Sequence, residues 1–234
     1  MIGREIGGQA RKNKVSNLES VPNLLSVQME SISRRFLGRP YATNPLMGSA
    51  DSPEVFIDAI SGFDCVTYIE TVLARALSRN KAESSSILRR IRYQNGTVDW
   101  KRRNHYMTGW IRNNQRNGLV RQLRFGSAEK HIVRRLSMVP GLPARKCAFS
   151  CVPKGSISKL DSRIQTGDLI FFASTRPQLD VFHCGIVVRS GKSLLLRHAS
   201  RSQSGVVEQE LSQFLKANRM AGILLARPVE RAAH

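Results

Sequence analysis

Acidic residues are scarce in this chain: 17 Asp and Glu stand against 37 Lys and Arg, a formal charge of +20 at pH 7. Such a field selects polyanions or acidic surfaces, so nucleic acid, acidic membrane and acidic wall polymer are all eligible partners. Aromatic residues are few as well. In the most basic stretch Tyr106, Trp110 and Phe125 are too scattered to form a platform for successive bases. No helix-turn-helix, RNA-recognition or zinc-finger pattern accompanies the charge, and no specific nucleic-acid reading is expected. No apolar run has the length needed to span a bilayer. Residues 1–17 lack the apolar centre of a secretory signal, so no export route is visible. The four cysteines (Cys65, Cys147, Cys151 and Cys184) contain no Cys-x-x-Cys pair, which argues against a zinc ribbon or a dithiol redox motif. Cys147 and Cys151 either pair in an oxidising compartment or stay as two thiols. No metal and no cofactor is expected.

What is present suits one domain with a real core, since 41% of the 234 residues are hydrophobic. Residues 1–17, glycine-rich and basic without periodicity, read as a flexible arm. The domain is expected over 18–230, with a basic helical insertion at about 80–150. From Ser20, with Pro22 in the first turn, Leu25, Met29, Ile32 and Phe36 keep helical spacing until Gly38 and Pro40 stop the run. A loop from Ala42 to Pro53 follows. Ser84–Tyr93 reads as a short helix and Asn95-Gly96 as a turn. Between Lys101 and Lys146 there are twelve lysines and arginines against the single acid Glu129, an excess that suggests an anionic partner. Gly167-Asp168 then launches an apolar strand, Leu169–Ala173. A hairpin, a helix at 211–218 and a last strand near 221–228 complete the chain. Helices first and antiparallel strands afterwards predict an α+β fold.

Ser61–Glu70 combines a loop, a thiol and the start of a periodic helix. Cys65 falls in the first turn, where unpaired N–H groups and the positive dipole end favour a thiolate. Glu70 early and Arg75 and Arg79 late suit the same dipole. A buried structural cysteine would look the same from this stretch alone. A nucleophilic one also needs a base and a group to orient that base. Val181–Val188 and Ser193–Ala199 read as two strands. If Ser190-Gly191 is the turn between them, Arg189 opposes Lys192, and the ladder brings His183 opposite His198 on one face, their Cβ atoms about 5 Å apart. A slip of one residue would part the two rings.

Five elements appear in a fixed order: Gly38-Arg-Pro-Tyr41, Phe63-Asp-Cys65, Gly167-Asp-Leu169, His183-Cys-Gly-Ile186 and His198-Ala199. This series resembles the NlpC-type, papain-like cell-wall hydrolases. Phe36–Tyr41, Asp64–Glu70, Ile91–Tyr93 and Arg103–Tyr106 resemble one branch, of N-acetylmuramoyl-L-alanine amidases, over about residues 32–228. The resemblance implies a papain-like fold in which helices carrying the cysteine pack on an antiparallel sheet carrying the histidines. It implies Cys65 as nucleophile, His183 as base and His198 as its orienting group. Tyr41 would border the site, with Asp64, Asn104, His105 and Tyr106 on the substrate side or behind it. Two positions depart from the pattern. Gly109 stands where an acid is usual, which bears on specificity. Cys184 replaces an aliphatic residue and is expected to point away from His183.

The implied activity is cleavage of the amide between N-acetylmuramic acid and L-alanine in peptidoglycan or muropeptides, with no metal. The basic segment would attract wall carboxylates or other anionic envelope polymers. A γ-D-glutamyl endopeptidase acting on the stem peptide and a basic nucleic-acid-binding protein are the alternatives. A monomer is expected. The substrate implies the cell envelope or periplasm; delivery as a secreted effector or recycling of fragments in the cytoplasm would also supply it.

Overall fold

A computed structural model describes residues 23–59 and 61–230. The arm expected at 1–17 lies outside the described residues, as do Ser20 and Pro22. Helix α1 (Leu24–Arg34) starts on Asn23, whose side chain accepts the Leu25 N–H at 2.7 Å. It buries Leu25 and Met29 as the spacing predicted. Helix α2 (Cys65–Ala76) is central. Nine of its twelve residues are buried, so it is enclosed on nearly every side rather than amphipathic. Helix α3 (Lys81–Arg92) begins on Asn80, before the expected Ser84, and buries Ile87, Leu88 and Ile91.

Glu70 is not the exposed dipole partner expected from its place early in α2. It is buried, with Arg92 Nε at 2.8 Å and Trp110 Nε1 donating at 3.1 Å. Arg92 also donates to the Ile57 carbonyl at 2.6 Å. The pair joins α2, α3 and the next helix, α4 (Met107–Arg116), in the core.

The basic segment is helical only as far as Arg116. Strands β1 (Val120–Gln122), β2 (Lys130–Leu136) and β3 (Arg145–Cys151) follow, which corrects the helical insertion expected over 80–150. In β3 Cys147, Phe149 and Cys151 are buried, while Lys146 and Ala148 are exposed, the period of a half-buried strand. Of the outward positions only Lys146 is charged, and the small Ala148 and Ser150 blur that period. Cys147 and Cys151 are free thiols. Four residues apart on an extended strand, they are separated by about 13 Å, too far to be bridged.

The remaining elements are β4 (Leu169–Ala173), β5 (Val181–Ser190), β6 (Ser193–Ser200), β7 (Gly205–Glu210), α5 (Leu211–Ala217) and β8 (Gly222–Pro228). Six strands form one sheet in the order β1-β8-β4-β5-β6-β7, antiparallel at every step, and β2-β3 is a separate ribbon. Phe171, Ile186, Ala199 and Leu224 pack with Ile69, Val72 and Leu73 of α2. The other face holds Phe172, Val187, Leu196 and Leu225 under Leu211 and Phe214 of α5. With both faces covered, all five β4 residues are buried, which is why β4 reads as a continuous apolar run. The result is a mixed α+β domain.

Arg197 pins β6 to the helices. Fully buried, it bonds Glu208 of β7 at 2.5 Å, and Glu30 and Ser33 of α1 at 2.9 Å each. The β5–β6 hairpin differs from expectation by two residues. Ser190 pairs with Ser193 and Arg189 with Leu194, which makes Gly191-Lys192 the turn. Gly191 has φ +56°, and a two-residue turn with one positive φ needs its glycine in the first position. The ladder runs down to Ile186↔Arg197.

Candidate active site

Cys65 is the first residue of α2, and Asp64 is the residue that starts the helix. Asp64 Oδ1 accepts the Thr67 N–H at 2.7 Å and its hydroxyl at 2.8 Å, and Thr67 Oγ1 accepts the Asp64 N–H in return. The carboxyl of Asp64 is therefore engaged in capping. Burial pushes its pKa up to about 6, and the adjacent Cys65 charge acts the same way. The Cys65 sulfur is half-buried and held well below the usual thiol range. The largest cause is a hydrogen bond from Cys184, followed by the hydrogen bond and charge of His183, against the opposing effect of burial.

His183 sits on β5 beside a bulge. Phe172 pairs with His183 but Ala173 pairs with Val181, leaving Phe182 as an extra residue. The bulge breaks the alternation of faces between Phe182 and His183, while His183 and Cys184, paired with Phe172 and Phe171, keep opposite faces. Cys184 points away from the His183 face as expected, but α2 packs on that side, and Cys184 is fully buried with its Sγ 3.2 Å from the Cys65 carbonyl oxygen. Both His183 and Cys184 reach Cys65 from their separate faces. The His183 ring is stacked with Phe172 and Phe214.

His183 Nε2 lies 2.7 Å from His198 Nδ1, with the two rings edge to face. Burial, and secondarily the charge of His183, push the His198 pKa down to about 3, so this ring is neutral and carries one hydrogen. Its Nε2 lies 2.8 Å from the side-chain amide nitrogen of Gln209 on β7. If His198 accepts from His183 at Nδ1, its hydrogen is on Nε2 and the Gln209 amide, turned over, presents its oxygen there. Sequence reasoning missed Gln209. It was findable only after pairing β6 with β7, because Val207 faces His198 and Gln209 lies two residues on, on the same side.

Tyr41 bridges to Phe63, and its half-buried phenol is raised above the ordinary range by burial and by the charges of Cys65 and Asp64. It stays a protonated donor within electrostatic reach of the thiolate. His183 and His198 together line a hollow of about 560 Å³ with Phe182, Arg201 and Phe214.

Asn104, His105 and Tyr106 are elsewhere. Among the described residues no hydrogen bond joins them to Cys65, His183 or His198. Asn104 donates to the Ile91 carbonyl at 3.0 Å, and His105 Nε2 lies 2.7 Å from the Trp100 carbonyl. The Tyr106 hydroxyl accepts the Met138 and Val139 amides. All three line a cleft of about 640 Å³ with Lys101, Arg103, Arg112, Arg116 and Arg145, and no acid lines it. Gly109 lies in this wall, the place of its missing Cβ 3.4 Å from the Arg145 guanidinium. Without an acid at 109 the cleft keeps its positive charge. Asp180 accepts the Thr108 N–H at 2.8 Å and its hydroxyl at 2.6 Å, which ties the cleft's helix α4 to the start of β5. The described residues hold no group of three or more side chains suited to a metal ion.

A family model described as AmiA-like, N-acetylmuramoyl-L-alanine amidase-like, matches residues 31–223. An N-acetylmuramoyl-L-alanine amidase structure from Bacteroides uniformis is 27% identical, with a TM-score of 0.77 over 89% of this chain and 100% of that one. A putative xylanase from Bacteroides fragilis is 28% identical, with a TM-score of 0.74 over 84% of this chain and 99% of that one. A Legionella pneumophila protein, 21% identical with a TM-score of 0.74 over 88% and 89%, shares the fold. No curated protein matches the chain.

Proposed function

The chain belongs to the N-acetylmuramoyl-L-alanine amidase-like family, and from that premise we propose that it hydrolyses the amide between N-acetylmuramic acid and L-alanine in peptidoglycan or its fragments, with Cys65 as nucleophile. The reading is that of a papain-like cysteine hydrolase. The observation that carries it is the run Cys65, His183, His198, in which an acidified thiol at a helix start meets a ring held by a neutral second ring at 2.7 Å.

Cys65 attacks the lactyl carbonyl. The developing oxyanion takes the Cys65 N–H, which has no partner within its own helix, and the Tyr41 hydroxyl. His183 protonates the departing amine of L-alanine, then takes a proton from the water that releases the acyl group. His198, neutral across the working range, accepts from His183 Nε2 and holds the ring as its charge comes and goes. The basic cleft beside α4 attracts stem carboxylates or other anionic envelope polymers. This substrate puts the site of action in the envelope or on fragments released from it.

The test is mass spectrometry of purified muropeptides incubated with wild type and with Cys65→Ala. Stem peptide beginning at L-alanine, released only by the wild type, is the expected result. Release of a dipeptide would move the scissile bond to the γ-D-glutamyl linkage. Absence of any cleavage would refute the hydrolase reading and leave anion binding as the property to assay.

A further inference from the structure

Cys184 adjoins the nucleophile, and the mechanism above leaves it unused. It is fully buried on β5, with its Sγ 3.2 Å from the carbonyl oxygen of Cys65. In a helix that oxygen takes one N–H from four residues ahead, and its second lone pair remains for the thiol. The Cys65 sulfur is on the same residue, within hydrogen-bond reach of the same S–H. A thiol hydrogen turns freely about its Cβ–S bond, so one buried donor faces two acceptors that differ in charge during turnover.

We infer that Cys184 is a further catalytic residue whose S–H turns from the Cys65 carbonyl to the Cys65 sulfur when the nucleophile ionises and returns when the acyl group forms. No heavy atom moves. This rests on Cys65 being the nucleophile. The direction of donation follows from the surroundings. Cys184 is held well above the usual thiol range by burial and by Cys65, while Cys65 is held below it, so the proton stays on Cys184. The other ionisable groups around the pair are His183 from β5, Tyr41 from its bridge to Phe63, and the acids Asp64 and Glu70 of the α2 end, with Arg201 beyond Tyr41. Negative charge on either acid disfavours a thiolate, which makes each donor to the sulfur matter. An aliphatic side chain in this position would fill the space and donate nothing.

The experiment is the rate of iodoacetamide modification of Cys65 against pH, read cysteine by cysteine by peptide mass spectrometry on the full chain. The wild type is compared with Cys184→Val and Cys184→Ser; Cys184→Ala replaces the valine variant if that does not fold. Loss of one hydrogen bond to a charged sulfur should raise the Cys65 inflection by about one pH unit in the valine variant, with serine restoring most of it. The acid limb of kcat/KM on muropeptide should follow, with KM unchanged. An inflection that does not move in the valine variant overturns the inference, and so does a serine variant that behaves like valine, because packing rather than donation would then be at work. If the Cys65 inflection moves as expected but no muropeptide is cleaved, the amidase reading fails and the donor role stands.

Discussion

Gly185→Ala tests how closely the two histidine strands must approach. A Cβ on Gly185 would lie 2.6 Å from Leu196 Cδ1, 2.7 Å from the Arg197 carbonyl oxygen and 3.1 Å from His198 Cβ. The leucine tip can turn aside. The carbonyl is backbone, and its residue is pinned by Glu30, Ser33 and Glu208, so relief must come from β6 moving away from β5. Carbon and oxygen relax to about 3.3 Å, which asks for a shift of roughly 0.6 Å. Applied to the 2.7 Å contact of His183 with His198, that shift stretches it to the edge of hydrogen-bond range. Overpacking of this kind costs about 1–3 kcal/mol, or a fall in Tm of about 2–12 °C for a chain of this size. A misplaced base costs on the order of tenfold to a hundredfold in kcat. Thermal melting and kcat/KM on a muropeptide are the measurements. The control is Gly191→Ala, which meets nothing within 4 Å but has φ +56°, so it should lose about 1 kcal/mol and keep its kcat. If Gly185→Ala melts with the wild type and keeps full activity, the close approach of β5 and β6 does not hold the proposed base, His183.

Glu70→Ala leaves the Arg92 guanidinium buried without its partner, and breaking such a pair costs about 3–5 kcal/mol, read as a fall in midpoint in denaturant with an unchanged slope; a loss below about 1 kcal/mol would show the pair to be dispensable. Acid should destabilise the fold through His198. Its pKa is pushed down to about 3 by burial, so the unfolded chain binds the extra proton between about pH 6.5 and 3, and stability falls with pH across that window. From pH 7 to 4.5 this amounts to about 3 kcal/mol. Asp64, with its pKa raised to about 6, works in the opposite sense between about pH 4 and 6. His198→Gln should therefore melt with a weaker acid dependence than the wild type, and an equal dependence would contradict the neutral, buried assignment. Arg112→Glu combined with Arg116→Glu should raise KM for intact sacculi several-fold at low salt and flatten its salt dependence, with kcat on small muropeptides unchanged; an unaltered salt profile would remove the cleft from substrate capture.

The helices were legible where apolar spacing was regular, and Cys65 at the head of α2 was legible because a loop ended there. The strands β2 and β3 were not. Their outward positions mix His131, Val133 and Arg135 in β2 with Lys146, Ala148 and Ser150 in β3, so no clean polar–apolar alternation marks either strand. Glu70, Arg92 and Arg197 were unreadable for a different reason. A buried ion pair looks like two ordinary surface charges until the fold brings them together, and Glu70 and Arg92 are 22 residues apart. Alternation along β5 correctly set Cys184 on the face opposite His183; what could not be read was that α2, and with it Cys65, packs on that face. Asn104, His105 and Tyr106 were singled out by resemblance, and their side-chain hydrogen bonds go largely to the backbone of a neighbouring cleft.

The hairpin shows why some errors leave a functional reading intact. Choosing Ser190-Gly191 instead of Gly191-Lys192 as the turn shifts the ladder by two residues, and side chains alternate with a period of two, so every side chain keeps its face. What changes is the geometry between the rings. Direct opposition would set the Cβ atoms of His183 and His198 about 5 Å apart, whereas the observed register makes them diagonal neighbours, with Cβ atoms farther apart but somewhat under about 7–8 Å. On the diagonal the far nitrogen of one ring reaches the near nitrogen of the other, which is the Nε2 to Nδ1 contact at 2.7 Å with the rings at 85°. The turn therefore reaches the site only through the register it fixes, which an alanine at 191 would keep at a cost in strain. That register sets the diagonal, and the diagonal lets a neutral His198 hold His183 by one nitrogen while the rest of the His183 ring stays turned toward Cys65.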